Sequence, residues 1–584
     1  MLWSALRSNN KICRVDGRQV TNIGESYMYG WLAAKNVNID CLGDAENLGE
    51  CVQYNCLLNK FPEDRVLCDG NAQICFLDGY VHNKNDFISD SSQSWPDAFS
   101  DAVSKDLKQS LSKLRGGFCG YVYDKNTDIV TAYVDQVSVR ALYYYADGAR
   151  WIISNHLAYM VKVLQSNKLA YDFNPLAARY MLTYGYMIDD STFIKQIHRV
   201  LPGNFVRLER GTVERVRYYF INNKEIRMTE EEAVERIDAA FRQAVAREFD
   251  KDREYGYRHL VDLSGGLDSR MVSWVAHDMG YTDQVNITYC QNGYRDEKIS
   301  KEIAESLRHE YIFKSLDDAQ WMFDIDRIIS ENNGAALCTG ITGGERMLNT
   351  LNSDMFGIEH TGMIGDAILS TFYHDKEFNY SKPRFGLHMH SERLKYEWNS
   401  AVLEEYPCQE MFAVYTRGIL GAQSSYMIRQ HYVETASPFM DVDFLDTVFS
   451  VPFEYRNRHH IYLKWMIEKY PGSTEFGWEK WGGIKPKESH IFFRKIKTTE
   501  RLLWMGFCKI FKIVNKDIMT PLDLWYRNDK ELKAFWTKYY NDNIKISVLD
   551  KELVKDIVFL YEKGDATEKS MALTVLAMAK KYFL

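Results

Sequence analysis

Residues 260–280 read LVDLSGGLDSRMVSWVAHDMG, and this stretch constrains the chain more than any other. A mostly apolar, strand-like run over 257–263 meets Ser264, Gly265 and Gly266, and residues 269–279 resume with the apolar spacing of a helix. A strand that stops at two glycines and restarts as a helix leaves backbone N–H groups uncovered at the turn. Those amides, the hydroxyls of Ser264 and Ser269 and the N-terminal end of the helix favour a polyanion. Glycine permits both the unusual dihedrals and the close approach of phosphate oxygens. Asp268 on its own would repel phosphate, so its natural role is to hold a divalent cation that bridges to it. The string is not the GxxxxGK[ST] loop, because no lysine follows.

The surroundings decide how such a turn is housed. Before it, RVLCDG, AQICFLDGYVHN, GFCGYVYDKNTDIVTAYVD and ALYYYADGARWIISN are rich in Val, Ile, Phe and Tyr and are broken by Asp-Gly and Lys-Asn turns, as hairpins require. DFNPLAARYMLTYG reads as a helix and GNFVRLERGTVERVRYYF as a further hairpin. The texture changes at 220–228. Thr229 with Glu232 three residues on opens a long amphipathic helix with a capping-box signature. Strand-like and helical segments then alternate through QVNITYC, DEKISKEIAESLRHE and YIFKSL, which implies a parallel sheet covered by helices. From about 320 the pattern is mainly helical. Two domains are expected, at 1–220 and 228–584.

Charge and composition exclude several classes. With 80 acidic against 72 basic side chains the net charge is −8, which argues against a general nucleic-acid binder. No run of about 18 apolar residues occurs, so no membrane span is expected. RLLWMGFCKIFKIVNK (501–516) has basic flanks, but its apolar residues cover most of the circumference, as in a buried helix. Eleven scattered cysteines without a CxxC pair suit reduced thiols in a cytoplasmic protein, and the first twenty residues hold no signal-peptide core. The fourteen histidines show no HExxH spacing.

The string SGGLDS resembles the pyrophosphate-binding PP-loop of enzymes that cleave ATP to AMP and pyrophosphate. Residues 116–160 are similar to the glutaminase-type domain of asparagine synthetases, and LTYGYMIDDSTFIKQIHRVLPGNFVRL resembles that family's next segment. Later pieces agree: DEKISKEIAESLRHEY, TGMIGDAIL, VETASPFMDVDFLD and IKPKESH each match a family segment. The resemblance runs patchily over 75–490. It implies an N-terminal αββα domain of Ntn-hydrolase type, followed by a parallel-sheet, adenine-nucleotide α-hydrolase-like α/β domain with a helical C-terminal part. Carried over onto this sequence, Leu263, Ser264, Gly265, Gly266, Asp268, Ser269, Thr361 and Gly362 would bind ATP, and Asp268 with Asp366 would ligate Mg2+. Glu434 would be the acid–base carboxylate, and Lys487, with Lys485 as the alternative, would stabilise the charge that develops on phosphorus.

The departures matter equally. Family members that hydrolyse glutamine use an N-terminal cysteine, whereas position 2 is Leu2 and the first cysteine is Cys13. The oxyanion-hole string appears as DGYVHN, with Asp78 where an Asn is expected and Tyr80 where a Glu is expected. A carboxylate at Asp78 repels an oxyanion, so the glutaminase is read as inactive. Met363 and Ala367 remove acidic groups from the acceptor pocket, which argues against free aspartate as acceptor. The implied reaction is amide-bond formation through an acyl-adenylate, with ammonia or an amine as nucleophile. Its carboxylate could be a sugar acid, as in polysaccharide-cluster relatives. An intramolecular closure of beta-lactam or lasso-peptide type, thiolation at Cys290 and an idle ATP-binding subunit are the rivals. A homodimer is an allowed assembly.

Overall fold

A computed structural model describes residues 29–90, 92–340, 343–487, 499–500, 503–504, 506–507 and 517–584. Leu2, Cys13 and most of the 501–516 segment therefore lie outside the described residues. Among the described residues twelve strands build the N-terminal part: β1 (Gly30–Lys35), β2 (Glu46–Asn47), β3 (Val52–Cys56), β4 (Val66–Asp69), β5 (Gln73–Val81), β6 (Gly116–Asp124), β7 (Ile129–Val134), β8 (Tyr143–Asp147), β9 (Arg150–Ser154), β10 (His198–Arg199), β11 (Asn204–Glu209) and β12 (Thr212–Arg217). They pair as two six-stranded antiparallel sheets, in the orders β10-β8-β9-β1-β3-β2 and β12-β11-β7-β6-β5-β4.

Strand periodicity explains the layering. Along β5, Ile74 and Phe76 face an apolar layer shared with Trp31, Ala33 and Ile153 of the other sheet. Cys75, Leu77 and Val81 face the opposite way, onto Trp95, Phe99 and Leu111 of the helix Trp95–Lys113. The outer face of the β1 sheet is covered in turn by the helices Leu157–Ser166 and Pro175–Tyr184. Strands buried on both faces read as almost unbroken apolar runs, which is why these hairpins are so legible. The result is the expected helix–sheet–sheet–helix sandwich. Strand β1 was not marked by the sequence, since GWLAAK has no alternation and two alanines, yet it lies inside its sheet, between β9 and β3.

The second part is a five-stranded parallel sheet of β13 (Arg258–Asp262), β14 (Gln284–Cys290), β15 (Glu310–Ser315), β16 (Phe356–His360) and β17 (Glu434–Ala436). Their order is β15-β14-β13-β16-β17. From β13 the chain first winds outward through β14 and β15, then returns to the other side for β16. The order thus reverses between β13 and β16, and such a switch point is where open α/β sheets bind ligands. Leu260 faces one apolar cluster and its neighbour Val261 another, so both faces are covered. The helix Glu230–Tyr255, with the capping box of Thr229 and Glu232 in place, covers the Val261 face through Ile237, Phe241 and Phe249. Strand β17, only three residues long and containing Glu434, carried no period that the sequence could announce.

The two parts share a core. The terminal helix Ala566–Phe583 is buried almost all round, as its apolar circumference requires, and it joins the cluster that holds Leu32, Tyr180 and Ile287. No helix among the described residues is long and apolar enough to cross a membrane.

Candidate active site

The turn after β13 and the turn after β16 meet at the switch point. Within the first, the Ser264 amide donates to Ser269 Oγ at 2.9 Å, and the two serine hydroxyls lie 2.9 Å apart. The Gly266 amide donates to Ser264 Oγ at 3.2 Å. The Gly265 amide donates to Asp296 Oδ1 at 2.8 Å. A Cβ on Gly265 would stand 2.8 Å from that same oxygen, so glycine is what lets the carboxylate close in. Asp296 therefore sits on an amide suited to a phosphate oxygen. Burial, and then the nearby Glu479, lift its carboxyl to about 7.

Asp268 opens the helix Asp268–Asp278. Its Oδ1 accepts from the Tyr462 hydroxyl at 2.8 Å and its Oδ2 from the Asp366 amide at 2.9 Å. Burial and the charge of Asp366 raise the Asp268 carboxyl to about 8. Two carboxylates placed so that one disfavours ionisation of the other are a donor set that fits a hard divalent cation. The Asp366 carboxylate also accepts from Lys480 Nζ at 3.3 Å. Gly362 lies so close that a Cβ there would stand 2.3 Å from the Ser269 nitrogen, which forces glycine where the two turns touch.

Arg270, the residue after SGGLDS, is fully buried. Its guanidinium donates to the carbonyls of Ser473 (3.0 Å), Phe476 (3.4 Å) and Gly265 (3.2 Å), and to that of Gly477. Among the described residues no carboxylate pairs with it. Burial lowers its pKa to about 10. A buried cation held only by carbonyls thus ties the glycine turn to segment 473–477. The Glu479 amide adds a second tie, donating to the Gly265 carbonyl at 3.0 Å. On the other side Arg429 Nη1 joins Asp262 and Glu359, at the ends of β13 and β16, at 3.0 and 2.7 Å.

The remaining expected residues are placed differently. Leu263 packs with Ile299, Ile303 and Leu307, and the Thr361 hydroxyl donates to the Ala436 carbonyl at 3.0 Å. Glu434 is fully buried and its Oε1 pairs with Arg140, which also bonds Asp78 Oδ2 at 3.0 Å. Burial raises the Glu434 carboxyl against the pull of Arg140. Lys487 pairs with Glu475, and Lys485 lies 3.3 Å from the same carboxylate. Ser264, Gly265, Gly266, Asp268, Ser269, Gly362 and Asp366 are thus brought together. Neither Glu434 nor Lys487 bonds to that group.

A family model described as a glutamine amidotransferase domain matches residues 92–219, and one described as asparagine synthase matches 236–343. Asparagine synthetase [glutamine-hydrolyzing] 1 of Bacillus subtilis is 24% identical over 227 residues, 38% of this chain and 34% of that one. The chain belongs to the asparagine synthetase superfamily. Amidase chyE of Penicillium rubens is 25% identical over 175 residues, 29% of this chain and 24% of the other, so the matches span about a third and a quarter of these relatives. Two solved structures, that of the allosteric regulatory enzyme of purine biosynthesis and the glutamine phosphoribosylpyrophosphate amidotransferase of B. subtilis, cover 49% of this chain at 10% identity. They cover 74% and 59% of their own chains, with TM-scores of 0.23 and 0.22 that carry no argument.

A cavity of about 40 Å³ is lined by Gly30, Leu58, Asp78, Arg140 and His156 of the N-terminal part and by Glu331, Gln430 and His431 of the second. Asp78 accepts from Arg65 Nε through Oδ1 and from Arg140 Nη1 through Oδ2, both at 3.0 Å, and is fully buried. Tyr80 turns to the synthetase part, its hydroxyl donating to the Thr435 carbonyl at 3.0 Å. The side chains that replace the expected Asn and Glu are thus absorbed into the contact between the two parts. The sequence reading gave no role to Asp296, Tyr462, Lys480 or Arg140. Asp296 opens the helix after the second strand of the sheet, a placement that could have marked it. Lys480 stands in a tryptophan-rich segment with no spacing signal.

Proposed function

We propose that the chain is an AMP-forming carbon–nitrogen ligase that activates a carboxylate as its acyl-adenylate. The observation that carries this reading is the convergence of the glycine turn with Asp268 and Asp366 at the switch point of the sheet, in a chain of the asparagine synthetase superfamily. Ser264, Gly265, Gly266 and Ser269 hold the phosphates of ATP, Leu263 borders the nucleotide, and Thr361 with Gly362 closes over it. Asp268 and Asp366 hold Mg2+, which supplies charge neutralisation at the phosphates. Asp296 leaves the Gly265 amide as a phosphate oxygen arrives. Glu434 takes the proton of the attacking amine, and Lys487 or Lys485 offsets the charge on phosphorus once segment 475–487 closes.

The nitrogen comes from ammonia or an amine, since Asp78 is held by two arginines where an oxyanion would need donors. A sugar acid in polysaccharide biosynthesis is the favoured carboxylate. The nine described cysteines are free thiols, in keeping with a cytoplasmic setting. A catalytically idle nucleotide-binding subunit is the second reading, favoured by the pairing of Glu434 with Arg140 and of Lys487 with Glu475.

The test offers the protein Mg·ATP with a panel of carboxylic acids, sugar acids included, together with ammonia or amines. AMP and pyrophosphate are expected from a matched pair and from none with Asp268→Ala. ATP binding without AMP from any pair would establish the idle subunit instead.

A further inference from the structure

Beneath the nucleotide turns lies a second cluster of ionisable groups. Glu248 and Asp252 stand one helical turn apart on the helix Glu230–Tyr255, His259 lies on β13, and His360 is the last residue of β16. All four side chains are buried. Asp252 Oδ2 lies 2.8 Å from His360 Nε2 and 3.2 Å from His259 Nδ1, and the three atoms all fall within 4.8 Å of one another. On the far side of its ring, His360 Nδ1 lies 3.2 Å from Glu248 Oε2. Asp252 Oδ1 is engaged separately, by the Ile358 amide at 3.0 Å. No other group of three such donors converges in this way among the described residues.

Hydrogen bonding among these groups does not balance with neutral imidazoles and two ionised carboxylates. If His360 Nε2 donates to Asp252, its Nδ1 presents a lone pair to a Glu248 carboxylate that also only accepts. Neither Asp252 nor Glu248 bonds to a lysine or arginine, so two buried carboxylates lack a cation. What is missing is supplied either by protons held within the network, on a carboxyl or an imidazole, or by a metal ion between the donors.

We propose that Asp252, His259 and His360 form a structural metal site for zinc or a similar first-row divalent ion, with Glu248 orienting His360 from behind. Two imidazole nitrogens and one carboxylate oxygen are a set that zinc accepts, and a carboxylate on the second ring nitrogen is the usual support of a metal-bound histidine. Tetrahedral zinc with bonds near 2.1 Å sets its donors about 3.4 Å apart, so the two spacings from Asp252 Oδ2, 2.8 and 3.2 Å, would open slightly to admit the ion. The ion would pin the long helix to β13 and β16, the two strands that carry the nucleotide turns.

The test uses full-length protein purified without a metal-affinity resin, analysed by mass spectrometry of its metal content and by thermal unfolding. About one zinc or similar ion per chain is expected, with a fall in Tm of at least about 5 °C after chelation that added Zn2+ reverses. Glu248→Gln should keep the fold and lower zinc affinity by about 10–100-fold. A content below about 0.1 ion per chain with no Tm response to Zn2+ overturns the proposal in favour of the protonated network, as does a bound ion retained in full by Asp252→Asn.

Discussion

Replacing Arg270 by Met tests whether the glycine turn is held by a buried cation. The guanidinium has four carbonyl acceptors, on Gly265, Ser473, Phe476 and Gly477. Hydrogen bonds from a charged donor contribute about 1.5–3 kcal/mol each. Against them stands the cost of burying the charge: the fall in pKa from 12.5 to about 10 corresponds to roughly 3 kcal/mol. Even the lower bound of the bonds exceeds that cost, so Arg270→Met should lose at least about 3 kcal/mol, in line with breaking other buried charged contacts. Arg270→Lys keeps the charge without the planar fork and should lose about half as much. Because phosphate supplies the anion that Arg270 lacks, Mg·ATP should stabilise the wild type more than the Met variant. Urea unfolding of the three proteins, with and without Mg·ATP, reads both effects. A Met variant that matches the wild type within about 0.5 kcal/mol in both conditions would refute the reasoning.

Three further outcomes are expected. Folding raises the Asp296 pKa from 3.8 to about 7, so its contribution to stability is complete below pH 3.8 and is lost as pH rises through 7. Asp296→Asn should therefore gain on the wild type in a pH series of unfolding curves, from pH 4 to 8, by on the order of a few kcal/mol, and should bind ATP more tightly at pH 8; parallel curves would count against it. Arg140→Leu leaves Glu434 buried without its cation, and should cost about 3–5 kcal/mol in urea unfolding, part of which a second change, Glu434→Gln, restores. Glutamine should yield no glutamate with the wild type, because Asp78, held by Arg65 and Arg140, stands where an oxyanion needs a donor; steady turnover in a coupled glutamate assay would contradict the inactive-glutaminase reading.

What the sequence disclosed follows how local each signal is. The turn with Asp268 and Ser269 occupies six consecutive positions, and a strand, two glycines and a helix are each written in neighbouring residues. The hairpins of the sandwich were equally legible, because both faces of their strands are buried. Contacts between distant segments were not. Arg140 meets Glu434 across 294 residues, and Arg270 meets Ser473 across 203. A lone arginine or glutamate carries no periodicity, so neither pairing can be read from spacing. Lys487 shows the converse: a residue type at a plausible position finds Glu475 close by, and that pairing is decided by the path of segment 475–487.

In an acyl-adenylate mechanism a carboxylate oxygen of the substrate becomes bonded to the α-phosphorus of ATP and leaves with AMP. With a carboxylate and amine that pass the panel, the acid is labelled with 18O in its carboxyl group and the nucleotide product is analysed by 31P NMR and mass spectrometry. One 18O is expected in AMP, together with unlabelled pyrophosphate. Label in inorganic phosphate alongside ADP, or amide formed with no label in any phosphorus product, would contradict it.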